Sequence, residues 1–266
     1  MFNHTFFLAS HEIYTNMRSY TKILALLLTV LTLTNCSTPK IASFQSADVY
    51  RIDSTITQDT AIVNYYTPFK EKMEQEMNRV IGHTTNSLTK SRSEAEFTAG
   101  NFFVDAMLAI GQRIDPTAQI SLATKGGIRA EINKGPVTVG NIFELMPFEN
   151  AISILELSGK DLNTLFHFIA KTGGQPVSGM TMKIKDQQPI NVIIQGQPFD
   201  INKTYKLVTY DYLANGGDYV EGLTSPLKRV DTGIIVRNGL IDYIEQLTKE
   251  GKSINTTLDG RVKIIK

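Results

Sequence analysis

Beyond residue 120 the chain alternates short apolar runs with amphipathic stretches, and no other feature of the sequence restricts its fold as much. The runs 120–123, 151–157, 180–184, 191–194, 205–209 and 262–265 have the length and apolar content of strands. Between them, 138–145, 160–171 and 233–249 carry helical periodicity. Gly173-Gly174 close the second of these helices with a residue type that tolerates positive φ at a C-terminal cap. Strands and helices mix without a strict βαβ repeat, so the expected fold is an α/β (α+β) domain with a layered, mixed sheet rather than a doubly wound one. Upstream, Ile62, Tyr66, Phe69, Met73, Met77 and Val80 recur every three or four residues. They predict an amphipathic helix that ends near Gly82 and is started or kinked by Pro68. A further helix is expected after Gly100, through Phe103, Ala106, Met107 and Ile110.

The first forty residues follow a different logic. Arg18 and Lys22 precede the apolar run 23–33, which falls short of the roughly 20 residues needed to span a bilayer. A basic start, a short apolar core and a cleavage-like boundary fit a secretory signal. The boundary Leu33-Thr34-Asn35-Cys36 resembles a bacterial lipobox. That resemblance implies that Cys36 becomes the lipidated first residue of an exported lipoprotein, anchored by its acyl chains to a membrane of the bacterial cell envelope. An uncleaved anchor or a free buried cysteine are the alternatives. Residues 1–16 do not suit the start of a signal, and Met17 is the alternative start. The expected organisation is thus a signal peptide over 1–36, a polar tether over 37–60 with a strand-like stretch at 47–52, and a folded domain over 61–266. Cys36 is the only cysteine, so the domain has no disulfide and rests on its core. Basic and acidic side chains number 27 and 26, and no Lys/Arg run occurs. No field for a phosphate backbone follows from that balance, so no nucleic-acid partner is expected.

Three loops place glycine beside groups able to bind a small molecule. Lys125-Gly126-Gly127-Ile128-Arg129 follows the strand at 120–123; its glycines let backbone approach a ligand, and Arg129 offers a donor fork suited to phosphate or sugar oxygens. Met146-Pro147-Phe148-Glu149-Asn150 puts a large ring in a connection, where its bland role would be a cap on the core. Asp211-Tyr212-Leu213-Ala214-Asn215-Gly216-Gly217-Asp218 brings a flat amphipathic ring together with a carboxylate that can accept two hydroxyl protons. Each loop alone is compatible with an ordinary turn. Together they hold two aromatic faces, an arginine and a carboxylate, the inventory needed to bind a nucleoside.

Over 77–266 the chain resembles the C-terminal domain of 5′-nucleotidases. The resemblance rests on Val80-Ile81-Gly82, Gly100-Asn101 with Asp105-Ala106-Met107, Gly126-Gly127-Ile128-Arg129, Pro147-Phe148, Ser178-Gly179 and Asn215-Gly216-Gly217-Asp218. It implies that Phe148 and Tyr212 sandwich the base, Asp218 binds the ribose hydroxyls, and Arg129 reaches the ribose or phosphate side. Gly126, Gly127 and Asn215 join them as substrate-binding positions. The chain departs from the family in three places. Thr124 stands where the family has an asparagine that contacts the base, Arg92 lies one place out of register with a family arginine, and Tyr219 replaces the glycine after Asp218.

Complete members of that family carry a metallophosphoesterase domain ahead of this one, and two-metal chemistry needs clustered ligands to activate water and stabilise the leaving oxygen. After Cys36 the only histidines are His83 and His167, neither of them in a metal-ligand spacing. No Gly-x-Ser-x-Gly nucleophile motif occurs, and Ser178-Gly179 has no recognisable base. No catalytic residue, metal ligand or cofactor is therefore expected in this chain, and the divalent metal ions are expected in a partner metallophosphoesterase subunit. The expected function is nucleotide recognition for a 5′-nucleotidase acting with that subunit. The alternative is a non-catalytic nucleoside- or nucleotide-binding lipoprotein of the envelope.

Overall fold

The computed structural model describes residues 51–266. Cys36, the lipobox and residues 37–50 of the expected tether lie outside the described residues. Of the strand-like stretch at 47–52 only Arg51 and Ile52 are described, and neither belongs to a strand. The elements, in chain order, are α1 (Thr60–Met77), β1 (Val80–Thr84), α2 (Thr98–Ile114), β2 (Ile120–Leu122), β3 (Gly135–Thr138), α3 (Val139–Leu145), β4 (Ala151–Ser158), α4 (Gly159–Lys171), β5 (Val177–Ser178), β6 (Met180–Lys185), β7 (Gln188–Ile194), β8 (Gln197–Pro198), β9 (Thr204–Tyr210), α5 (Asp211–Ala214), β10 (Lys228–Ile235), α6 (Val236–Lys249) and β11 (Val262–Ile264).

The main sheet has the order β10-β4-β9-β2-β5. β2 and β9 run parallel, whereas β4 is antiparallel to both β9 and β10, and β5 is antiparallel to β2. A second sheet, β11-β6-β7-β8, pairs β11 with β6 in parallel and is otherwise antiparallel. Mixed sheets with helices packed on them are the layered α/β architecture that the sequence implies. α2 lies on the main sheet at close range because Gly111 carries no side chain; a Cβ there would run into Val208 of β9. Phe103, Ala106 and Met107 on the same helix are fully buried.

α1 begins where the Asp59 carboxylate accepts hydrogen bonds from the Ala61 and Ile62 N–H groups. It ends earlier than its periodicity suggests, at Met77, with Pro68 inside it. Val80–Thr84 is instead a strand antiparallel to β3. Extended backbone buries Ile81 and brings Gly82 against α6, where a Cβ would stand 2.5 Å from the Ile244 side chain. Gly82 is thus a point of close approach and not a helix stop. The apolar face of α1 is real, but it touches the core only at its end: no residue of the helix is buried, Phe69 is 66% exposed, and the partly buried Met77 packs against the core. α6 starts at Val236, after the 233 that composition suggests, because the preceding residues form the edge strand β10. At the end of α4, Gly173 and Gly174 adopt φ of 69° and 94° and return hydrogen bonds to Ala170 and Ile169, as expected of a glycine cap.

Candidate functional site

Sheet topology decides which loops meet. β2 and β9 are parallel neighbours, so both end at the same edge, and the pairing Ile152↔Tyr210 puts the start of antiparallel β4 there too. The loops that leave β2, enter β4 and leave β9 therefore converge, and they enclose a cavity of about 710 Å³. That volume suits a drug-sized or nucleoside-sized ligand. Gly126, Gly127, Arg129, Phe148, Tyr212 and Asp218 all line it, so six of the seven binding positions expected from the sequence come together.

In the first loop the Gly127 N–H closes a turn onto the Thr124 carbonyl at 3.1 Å. A side chain on Gly127 would collide with the Tyr210 hydroxyl, and one on Gly126 would sit 3.3 Å from the Asp218 carboxylate. Gly127 is therefore required by the approach of Tyr210, whereas at Gly126 a small shift of the Asp218 side chain would relieve the contact. Lys125 turns away; its amine donates to the Gly173 carbonyl at 3.1 Å, and burial lowers its pKa. Arg129 remains exposed, with its guanidinium carbon 5.9 Å from the Phe148 ring centre and Nη1 donating to the Gly126 carbonyl at 3.2 Å. Among the described residues no ion pair engages it, which leaves its charge available to an anion.

Phe148 is 40% exposed and lines the cavity, so it is not a cap on the core. Its loop is held from behind by Arg237, a buried residue at the start of α6. Arg237 Nη1 donates to the Phe148 carbonyl at 3.2 Å, Nη2 pairs with the Glu149 carboxylate, and the guanidinium lies 4.1 Å from the Phe143 ring centre. The next residue links the two aromatic loops, because Asn150 donates from Nδ2 to Asp211 Oδ1 at 3.0 Å and that oxygen also accepts from the Tyr212 N–H. Neither Arg237 nor Asn150 carries a local sequence signal; only the pairing of β10 with β4 brings α6 to this edge.

In the third loop Tyr212 is 47% exposed, and its ring lies against the bare α-carbon of Gly217. Its hydroxyl donates to Asp218 Oδ1 at 3.0 Å and accepts from the Asp218 N–H at 3.2 Å. The Thr124 hydroxyl donates to Asp218 Oδ2 at 2.5 Å, so the residue that departs from the family's asparagine reaches the carboxylate. Asp218 and Tyr219 both adopt left-handed backbone, at φ of 53° and 56°, a conformation that costs of order 1–3 kcal/mol per non-glycine residue. Tyr210 forms part of the wall, and burial pushes its phenol up to about 12, so it serves there as a neutral hydroxyl. The seventh expected position, Asn215, does not line the cavity; its Oδ1 accepts from Arg229 Nη1 at 2.7 Å, tying the loop to β10.

Arg92 is exposed and does not line the cavity either. His83 and His167 are both exposed, on β1 and α4 respectively. Among the described residues no group of three or more His, Cys, Asp or Glu side chains could hold a metal ion.

Comparison with known proteins agrees with this geometry. The family model described as "5'-nucleotidase, C-terminal domain" matches residues 80–225. A 5'-nucleotidase of Vibrio cholerae is 26% identical over 200 residues, which is 72% of this chain and 35% of that protein. A 5'-nucleotidase of Diplobatis ommata is 29% identical across 80% of this chain and 42% of its own length. The chain thus spans well under half the length of these curated relatives. Among solved structures, a 5'-nucleotidase precursor from Thermus thermophilus superimposes with a TM-score of 0.66 at 29% identity, covering 77% of this chain and 42% of that one. The NAD nucleotidase of Haemophilus influenzae, at 17% identity and a TM-score of 0.61, shares the fold over 78% of this chain and 41% of its own. With the family model covering more than half of its length, the chain belongs to the 5'-nucleotidase C-terminal domain family.

Proposed function

We propose that this domain recognises the nucleoside part of a nucleotide for a 5′-nucleotidase whose hydrolytic chemistry is supplied by a metallophosphoesterase unit. The observation that carries the reading is the convergence of Phe148, Tyr212, Asp218 and Arg129 on one cavity. The base stacks on Phe148 and Tyr212, each aromatic contact contributing about 1–3 kcal/mol. Asp218 accepts the sugar hydroxyls, and the guanidinium of Arg129, in no ion pair among the described residues, attracts the phosphate. Two divalent metal ions in the partner unit would activate water and stabilise the leaving oxygen. The 5'-nucleotidases of Vibrio cholerae and Diplobatis ommata extend well beyond the part that this chain matches, which leaves room in them for such a unit.

Mixing the purified domain with a candidate metallophosphoesterase and AMP tests the pairing. The expected result is faster phosphate release than from either protein alone; no increase with both at micromolar concentration refutes it. Binding of AMP without any stimulation would favour a non-catalytic nucleotide-binding protein. The run 23–33 and Leu33-Thr34-Asn35-Cys36 support an envelope lipoprotein. Incorporation of labelled fatty acid in bacterial cells, lost in Cys36→Ala, is the expected outcome, and equal labelling of the variant refutes it.

A further inference from the structure

The carboxylate of Asp218 is oriented before any ligand arrives. Thr124, buried at the end of β2, donates its hydroxyl proton to Oδ2 at 2.5 Å. Having committed that proton, Thr124 Oγ1 serves as an acceptor for the Gly127 N–H at 3.3 Å, with the Tyr210 hydroxyl 3.5 Å away. Tyr212 donates to the other oxygen, Oδ1, at 3.0 Å, and the Asp218 N–H donates back to the Tyr212 hydroxyl at 3.2 Å. Each carboxylate oxygen is thus held by one hydroxyl, Oδ2 by Thr124 from the loop after β2 and Oδ1 by Tyr212 from the loop after β9.

A carboxylate offers about four lone-pair sites, two on each oxygen. One on each is taken by the clamp, which leaves one on each for a ligand. Two free sites on adjacent oxygens match a pair of neighbouring hydroxyls, such as the 2′ and 3′ hydroxyls of ribose, and they match a sugar lacking those hydroxyls poorly. Resting on the nucleoside reading of the cavity, we propose that the hydroxyls of Thr124 and Tyr212 are positioning groups that aim Asp218 and so set the site's preference for a ribose cis-diol. Thr124 then acts on the sugar, through Asp218. Tyr212 acts twice, with its ring on the base and its hydroxyl on the carboxylate. A phenylalanine at 212 would keep the first role and lose the second.

The test is calorimetric titration of adenosine and of 2′,3′-dideoxyadenosine into the wild type, Tyr212→Phe, Thr124→Val and Thr124→Ser. The wild type should prefer adenosine. Tyr212→Phe, at an exposed position that should not disturb folding, should cut that preference by at least about 5-fold while leaving dideoxyadenosine binding within about 2-fold, since the ring and its contact with Gly217 remain. Thr124→Val should do the same and Thr124→Ser should restore the preference. An adenosine preference unchanged in Tyr212→Phe overturns the proposal, as does an equal weakening of both ligands, which would make the hydroxyl merely structural. Absence of binding by either ligand to the wild type would instead sink the nucleoside reading and the proposal with it.

Discussion

Gly217→Ala adds a single methyl beside the Tyr212 ring, on one wall of the cavity. Gly217 lies outside the left-handed region, so alanine is compatible with its backbone and, by restricting the unfolded chain, would by itself stabilise by about 0.4–1 kcal/mol. The new methyl, however, would stand 2.5 Å from Cε1 and Cζ of Tyr212 and 2.6 Å from Cδ1. Carbon atoms rest about 3.5–4.0 Å apart, so the ring must retreat by about 1 Å or more. Because Tyr212 is 47% exposed, it can swing into solvent, and the net change in stability should stay within about 1 kcal/mol. Binding is the quantity that suffers. Loss of one stacking wall, about 1–3 kcal/mol, corresponds to a rise of about 5- to 150-fold in the Kd for adenosine. Calorimetric titration alongside thermal melting separates the two effects. A double-mutant cycle identifies the route: on a Tyr212→Ala background Gly217→Ala should change Kd by less than about 2-fold. An unchanged Kd in Gly217→Ala, or an equal weakening on the Tyr212→Ala background, would refute the account of that wall.

Glu96→Ala should destabilise the domain by about 1–3 kcal/mol in urea unfolding, because its carboxylate accepts from buried Asn101 and from the N–H groups of Asp259 and Gly260, all left without that partner. Phe69→Ser and Met73→Ser, on the exposed stripe of α1, should leave domain stability within about 0.5 kcal/mol; a larger loss would mean that this face is packed. Hydrogen bonds from Lys206 and Thr117 hold Asp115 at about 2, below its ordinary 3.8. A carboxylate lowered in the folded state contributes stability that is full above 3.8 and lost as pH falls through about 2, so Asp115→Asn should flatten that part of a melting-temperature profile.

The three strands that build the site were legible because each is a short, mostly apolar or β-branched stretch, and Leu122, Leu155 and Leu207 are all fully buried. β10 was not, since an edge strand with no buried residue has no face pattern to detect, and its Lys-Arg start and Gly233 resemble a loop. Val80 continued the helical spacing of α1 by coincidence of period, while its pairing with Thr138 of β3 depends on a residue more than fifty positions away. The site divides in the same way. Glycine pairs flagged the loops of Arg129 and Asp218, and an aromatic after a proline flagged Phe148. The contact between Thr124 and Asp218 crosses 94 residues, and that between Arg237 and the Phe148 carbonyl crosses 89, so both exist only once the sheet order is known. Asn215 looked like a ligand contact because it belongs to the motif, yet its amide oxygen serves Arg229.

The central claim, that the cavity between these loops binds a nucleoside, is tested most directly by titrating adenosine into the wild type and Phe148→Ala. The account predicts saturable binding to the wild type and a Kd at least about 5-fold higher in the variant, with the melting temperature of the unliganded protein little changed because Phe148 lies outside the core. Equal binding by both proteins, or none by the wild type, would contradict it.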